Sequence, residues 1–98
     1  MGINISQSVR KKLQDKHGVS VKEVHEAFAN RTGKLLYDLR EKHDSDPRTM
    51  WFVAPTNHRR LLKVCFVQRV DGTHIRTAYE ANSVELSIYR THGRPTDF

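Results

Sequence analysis

The sequence predicts an α+β domain: an antiparallel sheet of three to four strands, with two helices before it and one after it. Three observations carry this reading. Ser20 with Glu23, and Asn82 with Glu85, have the spacing of capping boxes, in which cap and carboxylate each satisfy a backbone N–H of the other. Between those helix starts lie apolar runs of strand length at residues 50–54, 61–70 and 74–80. The joins between these runs are too short for the crossover of a dozen or more residues that parallel strands need. With 98 residues the chain forms one domain, residues 1–93, followed by a loose tail at 94–98.

The elements follow in order. Ile3 and Ile5 form a short strand or lead-in. Ser6 or Ser8 caps a first helix that runs to about His17, with Val9 and Leu13 on its apolar face and Gly18 as its stop. Its other face carries Arg10, Lys11, Lys12 and Lys16, as a solvated face or as a patch that follows phosphates. The second helix covers residues 21–30. Val19 and Val24 have the spacing of a hydrophobic staple, and Val21, Val24, Ala27 and Phe28 form the buried stripe. A turn at 30–33 leads to a strand at 35–39 and a polar loop at 40–48. Asp44 and Asp46 stand in that loop without a third ligand, so it reads as solvated, and neither a metal nor a cofactor is expected. The strand at 50–54, with Trp51 and Phe52 in the core, stops at Pro55. A basic turn containing Arg59 and Arg60 leads into the strand at 61–70. Asn82 caps a last helix at 84–92, ended by Gly93 and Pro95.

Asp71-Gly72 reads as a two-residue hairpin turn. That turn would set Phe66 opposite Thr77, Val64 opposite Tyr79 and Gln68 opposite Ile75, all on the core face. The other face would then pair Lys63 with Glu80, Cys65 with Ala78, Val67 with Arg76, and Arg69 with His74. At about 3.3 Å per residue, His74 and Arg76 are about 7 Å apart, whereas His74 and Glu80 are about 20 Å apart. Glu80 is therefore expected to pair with Lys63 across the strands. Arg69, His74 and Arg76 form a strip that fits a solvated face or a phosphate site, with the imidazole moving a proton near neutral pH.

Composition narrows the function classes. A net charge of +6 favours a polyanionic partner. One cysteine, Cys65, excludes a disulfide framework and reads as a small buried hydrophobe. No apolar run approaches membrane-spanning length and there is no leader-like segment, so a soluble, cytoplasmic protein with no membrane partner is expected.

Three segments resemble the BrnT family of bacterial toxins from type II toxin–antitoxin pairs. K-H-G-V-S at 16–20, followed by Glu23 and Phe28, is similar to the family's opening motif. L-L-K-V-C-F-V-Q-R-V-D-G at 61–72 resembles its strand before the turn. I-R-T-A-Y-E-A-N-S-V-E at 75–85, with Tyr89, resembles its ending. The resemblance implies a RelE-like fold, a ribonuclease that stops translation, an RNA substrate, and a ribbon-helix-helix antitoxin as partner, with a heterotetramer as one form of the complex. Arg76, Ala81 and Glu85 fall on family positions. Tyr79 departs from the pattern, standing where the family has Arg or Lys.

The reaction expected on this basis is metal-independent cleavage by the ribose 2′-OH. His74 would be the acid or base, and Arg76, Arg69 and Lys63 would stabilise the charge that builds on phosphorus. Arg10, Lys11, Lys12, Lys16, Arg59 and Arg60 would hold the RNA. A non-catalytic basic module that binds nucleic acid or protein is the alternative from another class. A hydrolase of ADP-ribose finds no support, since the chain has neither a Gly-rich phosphate loop nor a convergent acidic set.

Overall fold

The structure, a computed structural model, describes residues 2–39 and 47–98. Asp44 and Asp46 lie outside the described residues. The elements are β1 (Ile3–Asn4), α1 (Gln7–Lys12) continued by a π-helical turn (Leu13–His17), α2 (Val21–Asn30), β2 (Leu36–Tyr37), β3 (Met50–Pro55), β4 (Leu61–Arg69), β5 (Gly72–Glu80) and α3 (Ser83–His92). The α+β class holds, but the sheet differs from expectation. It has five strands in the order β1-β5-β4-β3-β2, and it is mixed, because β1 runs parallel to β5. A two-residue strand has no periodicity to read, and its partner lies at the far end of the chain.

The helix caps form as the sequence dictates. The Ser6 hydroxyl accepts from the Val9 N–H at 3.3 Å, and both capping boxes close. Gly18 ends the first helix in the left-handed region, at φ 60°. The Val19 and Val24 side chains are buried together in the core.

Packing divides the molecule at the sheet. On one face, Phe28 of α2 meets Phe52 and Phe66, with ring centroids 4.8 and 5.6 Å apart. Val24, Ala27, Val64 and Ala78 are fully buried with them. Each buried valine or phenylalanine side chain among them contributes about 1.5–3 kcal/mol. Trp51, next to Phe52 on β3, points to the opposite face. There it meets Tyr89 of α3 at 5.6 Å, and the Tyr89 hydroxyl donates to the Lys34 carbonyl at 2.7 Å. The last residues lie against this layer: Phe98 stacks on Tyr89, and the Thr96 N–H donates to Thr32 Oγ1 at 3.0 Å.

The β4–β5 hairpin corrects the expected register twice. Arg69 pairs with Gly72, so the turn is Val70-Asp71, not Asp71-Gly72. Gly72 belongs to the strand, at φ 135°, where an added Cβ would lie 2.7 Å from the carbonyl oxygen of Gly2, just before β1. The glycine serves strand docking and not the turn. The second correction is a bulge. Phe66 pairs with Ile75 but Cys65 pairs with Thr77, which leaves Arg76 as the extra residue. One inserted residue reverses every side chain beyond it. Tyr79, expected on the core face opposite Val64, therefore stands opposite Lys63, while Ala78 takes the core place beside Val64. Glu80 pairs with Leu62 instead of Lys63.

Candidate functional site

The bulge builds a cluster that simple alternation would have broken up. Lys63 and Tyr79 now share the sheet face that α3 covers, and the capping box of α3 fixes Glu85 above them. Glu85 Oε1 accepts from the Asn82 N–H at 3.0 Å, so the carboxylate is held by its own helix start. Its Oε2 accepts from Lys63 Nζ at 3.0 Å and from the Tyr79 hydroxyl at 2.7 Å. Lys63 also lies over the Trp51 ring at 4.6 Å and nears the Tyr79 ring at 5.8 Å. Side-chain exposure is 5% for Lys63 and 13% for Glu85, which makes this a buried ion pair.

Protonation follows from these contacts. Burial pushes the Glu85 carboxyl up, but the bonds from Tyr79, the Asn82 backbone and Lys63 outweigh it and hold the group below its ordinary value. Burial likewise opposes the Lys63 charge, and Glu85 more than offsets it, so the ammonium is held above its ordinary value. Burial and the neighbouring carboxylate push the Tyr79 phenol up. The cluster is thus ammonium, carboxylate and neutral phenol. The His17 ring, at the end of the first helix, lies 5.4 Å from the Tyr79 ring.

Two clefts flank this cluster. One, of about 480 Å³, is lined by Lys12, Thr49, Cys65, Arg76 and Thr77. The other, of about 570 Å³, lies between β2 and α3 against Tyr37, Leu39, Trp51, Val84 and Ile88, with Lys63 and Glu85 also in its wall. Asp38 lines both.

The expected site residues divide into two groups. Arg69 and His74 stand near the hairpin tip, where His74 Nε2 is 2.8 Å from Asp71 Oδ1. The hydrogen bond from His74, with nearby Arg69, holds the Asp71 carboxyl below its ordinary value. His74 pairs with Val67, four positions from Lys63 on β4, so the two lie about 13 Å apart along the sheet. Arg76 is exposed at the bulge, between the two groups.

The cations expected to hold RNA have varied surroundings. Arg10 Nε donates to the Ile5 carbonyl at 3.0 Å, and Lys11 pairs with Asp15 at 3.2 Å. Lys12 Nζ donates to the Arg76 carbonyl at 3.2 Å, beside the smaller cleft. Lys16 and Arg59 are exposed. Arg60 is a staple: it donates to the His17 and Gly18 carbonyls at 3.2 and 2.9 Å and pairs with Glu23 and Glu80 at 3.2 and 3.1 Å. Cys65 is buried, as expected.

Tyr79, His17, Asp38 and Thr77 were not among the expected site residues. The signal for Tyr79 was the spacing of Ile75 and Ala78, the two fully apolar residues of β5, which share one face only if a residue is inserted between them. Among the described residues, no group of three or more His, Cys, Asp or Glu is placed to hold a metal, and no helix is long and apolar enough to cross a membrane. No known protein-family model matches the chain, and no curated protein matches it.

Proposed function

We propose that the protein is a BrnT-like toxin that cleaves RNA without a metal, by attack of the ribose 2′-OH on the adjacent phosphodiester. The observation that carries this reading is the placement of His74, bonded to Asp71 at 2.8 Å, two positions from Arg76 at the edge of a cleft that Lys12 also lines. A carboxylate-oriented imidazole next to exposed cations is the equipment this reaction needs. Bonding to Asp71 occupies Nε2 and leaves Nδ1 for the proton of the 2′-OH or of the leaving oxygen. Arg76 and Lys12 hold the non-bridging oxygens, whose charge grows in the transition state. Lys63 is committed to Glu85, about 10 Å along the sheet from Arg76. It therefore acts through the local field and not by direct contact with phosphate. The three segments similar to the BrnT family support the same reading and extend it to a ribbon-helix-helix antitoxin as partner.

The test incubates RNA with the protein in chelator. Wild type should leave 2′,3′-cyclic phosphate ends. His74→Asn should lose about 100-fold or more of the rate, and Arg76→Ala should be inactive, both with thermal midpoints close to wild type. Full activity of Arg76→Ala would refute this assignment. Intact RNA, with binding that falls steeply as salt rises, would mark a binding module instead.

A further inference from the structure

We propose that the cleft between β2 and α3 is a nucleobase pocket that takes the base next to the phosphate held by Arg76 and Lys12. The proposal rests on the nucleic-acid reading of the preceding section. At about 570 Å³ the cleft lies in the range of small-ligand sites and accommodates a nucleoside. Its walls are apolar: Leu39 and Trp51 on the sheet side, Val84 and Ile88 on the helix side. Tyr37 is 54% exposed although Arg48 lies over its ring at 5.2 Å. An exposed ring backed by a guanidinium is a stacking platform for a base.

The wall carries donors beside the carboxylates of Asp38 and Glu85. Glu85 already accepts three hydrogen bonds, and the Asn82 side-chain oxygen Oδ1 is taken by the Glu85 N–H at 2.8 Å. The Asn82 amide nitrogen and the His92 ring line the same space. They suit the carbonyl and ring-nitrogen acceptors on the edge of a base. Continuity decides between a base and an apolar protein segment. Through the Asp38 carboxylate the apolar cleft adjoins the cleft of Lys12, Arg76 and two threonines, so a flat apolar site and a site with two cations against one carboxylate sit side by side. That pairing matches the two halves of a nucleotide.

Trp51, the single tryptophan, is the reporter. Its emission would be followed while wild type, Tyr37→Ala and Val84→Asp are titrated with adenosine and uridine 5′-monophosphates, the two nucleosides, and inorganic phosphate. Nucleotides and nucleosides should give a saturable change and phosphate alone none. Each substitution should weaken binding about tenfold or more, with circular dichroism unchanged. No saturable change in wild type, the same change with phosphate alone, or unaltered affinity in Tyr37→Ala would overturn the pocket. So would self-association of wild type that Val84→Asp abolishes, since the cleft would then be an interface between copies. Nucleoside binding without RNA cleavage would keep the pocket and remove the ribonuclease. Cleavage with no nucleoside binding would do the reverse.

Discussion

Glu85→Ala should be among the most damaging single substitutions outside the apolar core. The side chain accepts from Lys63, Tyr79 and the Asn82 backbone, so its loss leaves an ammonium with 5% exposure unpaired and opens a capping box. Breaking a buried pair by removing one partner costs about 3–5 kcal/mol, because the remaining charge stays desolvated. A domain of this length has about 5–15 kcal/mol in total. At about 4–8 °C per kcal/mol, the thermal midpoint should fall by at least about 12 °C. The double substitution Lys63→Met/Glu85→Met removes both charges and should recover more than half of that loss. Thermal and urea unfolding at neutral pH, followed by circular dichroism, complete the cycle. The sign of the pH dependence is also fixed. The folded carboxyl titrates below its ordinary 4.5, so its stabilisation is full above that value and is lost as pH falls through the folded value. A loss under about 1 kcal/mol in Glu85→Ala, or additive effects in the double variant, would refute the buried pair.

Three further outcomes follow from the same geometry. Gly72→Ala forces a side chain into positive φ and onto the Gly2 carbonyl, so it should cost about 2 kcal/mol. It should also speed amide exchange at Thr73, whose N–H donates to Gly2 at 3.1 Å. Arg60→Met removes the bonds to two carbonyls and to Glu23 and should cost about 2–3 kcal/mol in urea unfolding; the exposed end at Glu80 adds little. Burial pushes the Tyr89 hydroxyl up to about 12, so stability is full below pH 10 and falls by about 3 kcal/mol as pH rises through 12. Tyr89→Phe should lack that alkaline loss in a pH series of thermal midpoints.

The sequence was most readable where structure is local. Caps, stops and the buried stripe of α2 depend on residues three or four apart, and they form as expected. The parallel pairing of β1 with β5 was not legible, because two residues against the far end of the chain leave no pattern. The hairpin failed for a different reason. Asp-Gly has the pattern of a two-residue turn, but the chain turns one residue earlier and its glycine makes the contact with β1 and the residue before it. Alternation over 75–79 favoured a core of Ile75, Thr77 and Tyr79, which would bury two hydroxyl groups. A bulge at Arg76 buries Ala78 instead and turns Tyr79 toward Glu85, where its hydroxyl has a partner. Giving the half-buried phenol of Tyr79 a partner outweighs strict alternation.

The candidate site was legible in its residues and less so in its grouping. Lys63, Arg76 and Glu85 were each singled out, but only the bulge shows that Lys63 joins Glu85 and Tyr79 while Arg76 turns to the adjoining cleft. Charge was the weakest guide to position. Arg60 and Lys63 look like phosphate ligands in a chain of net charge +6, yet both are spent on carboxylates that hold the fold together. A cation flanked by apolar residues on a central strand has to find its counter-charge inside the protein, because water cannot reach it. A cation at a bulge has no such obligation, since the extra residue leaves the ladder and its side chain leaves the packed layer. That difference, and not net charge, leaves Arg76 exposed at the bulge, as the proposed reaction requires of it.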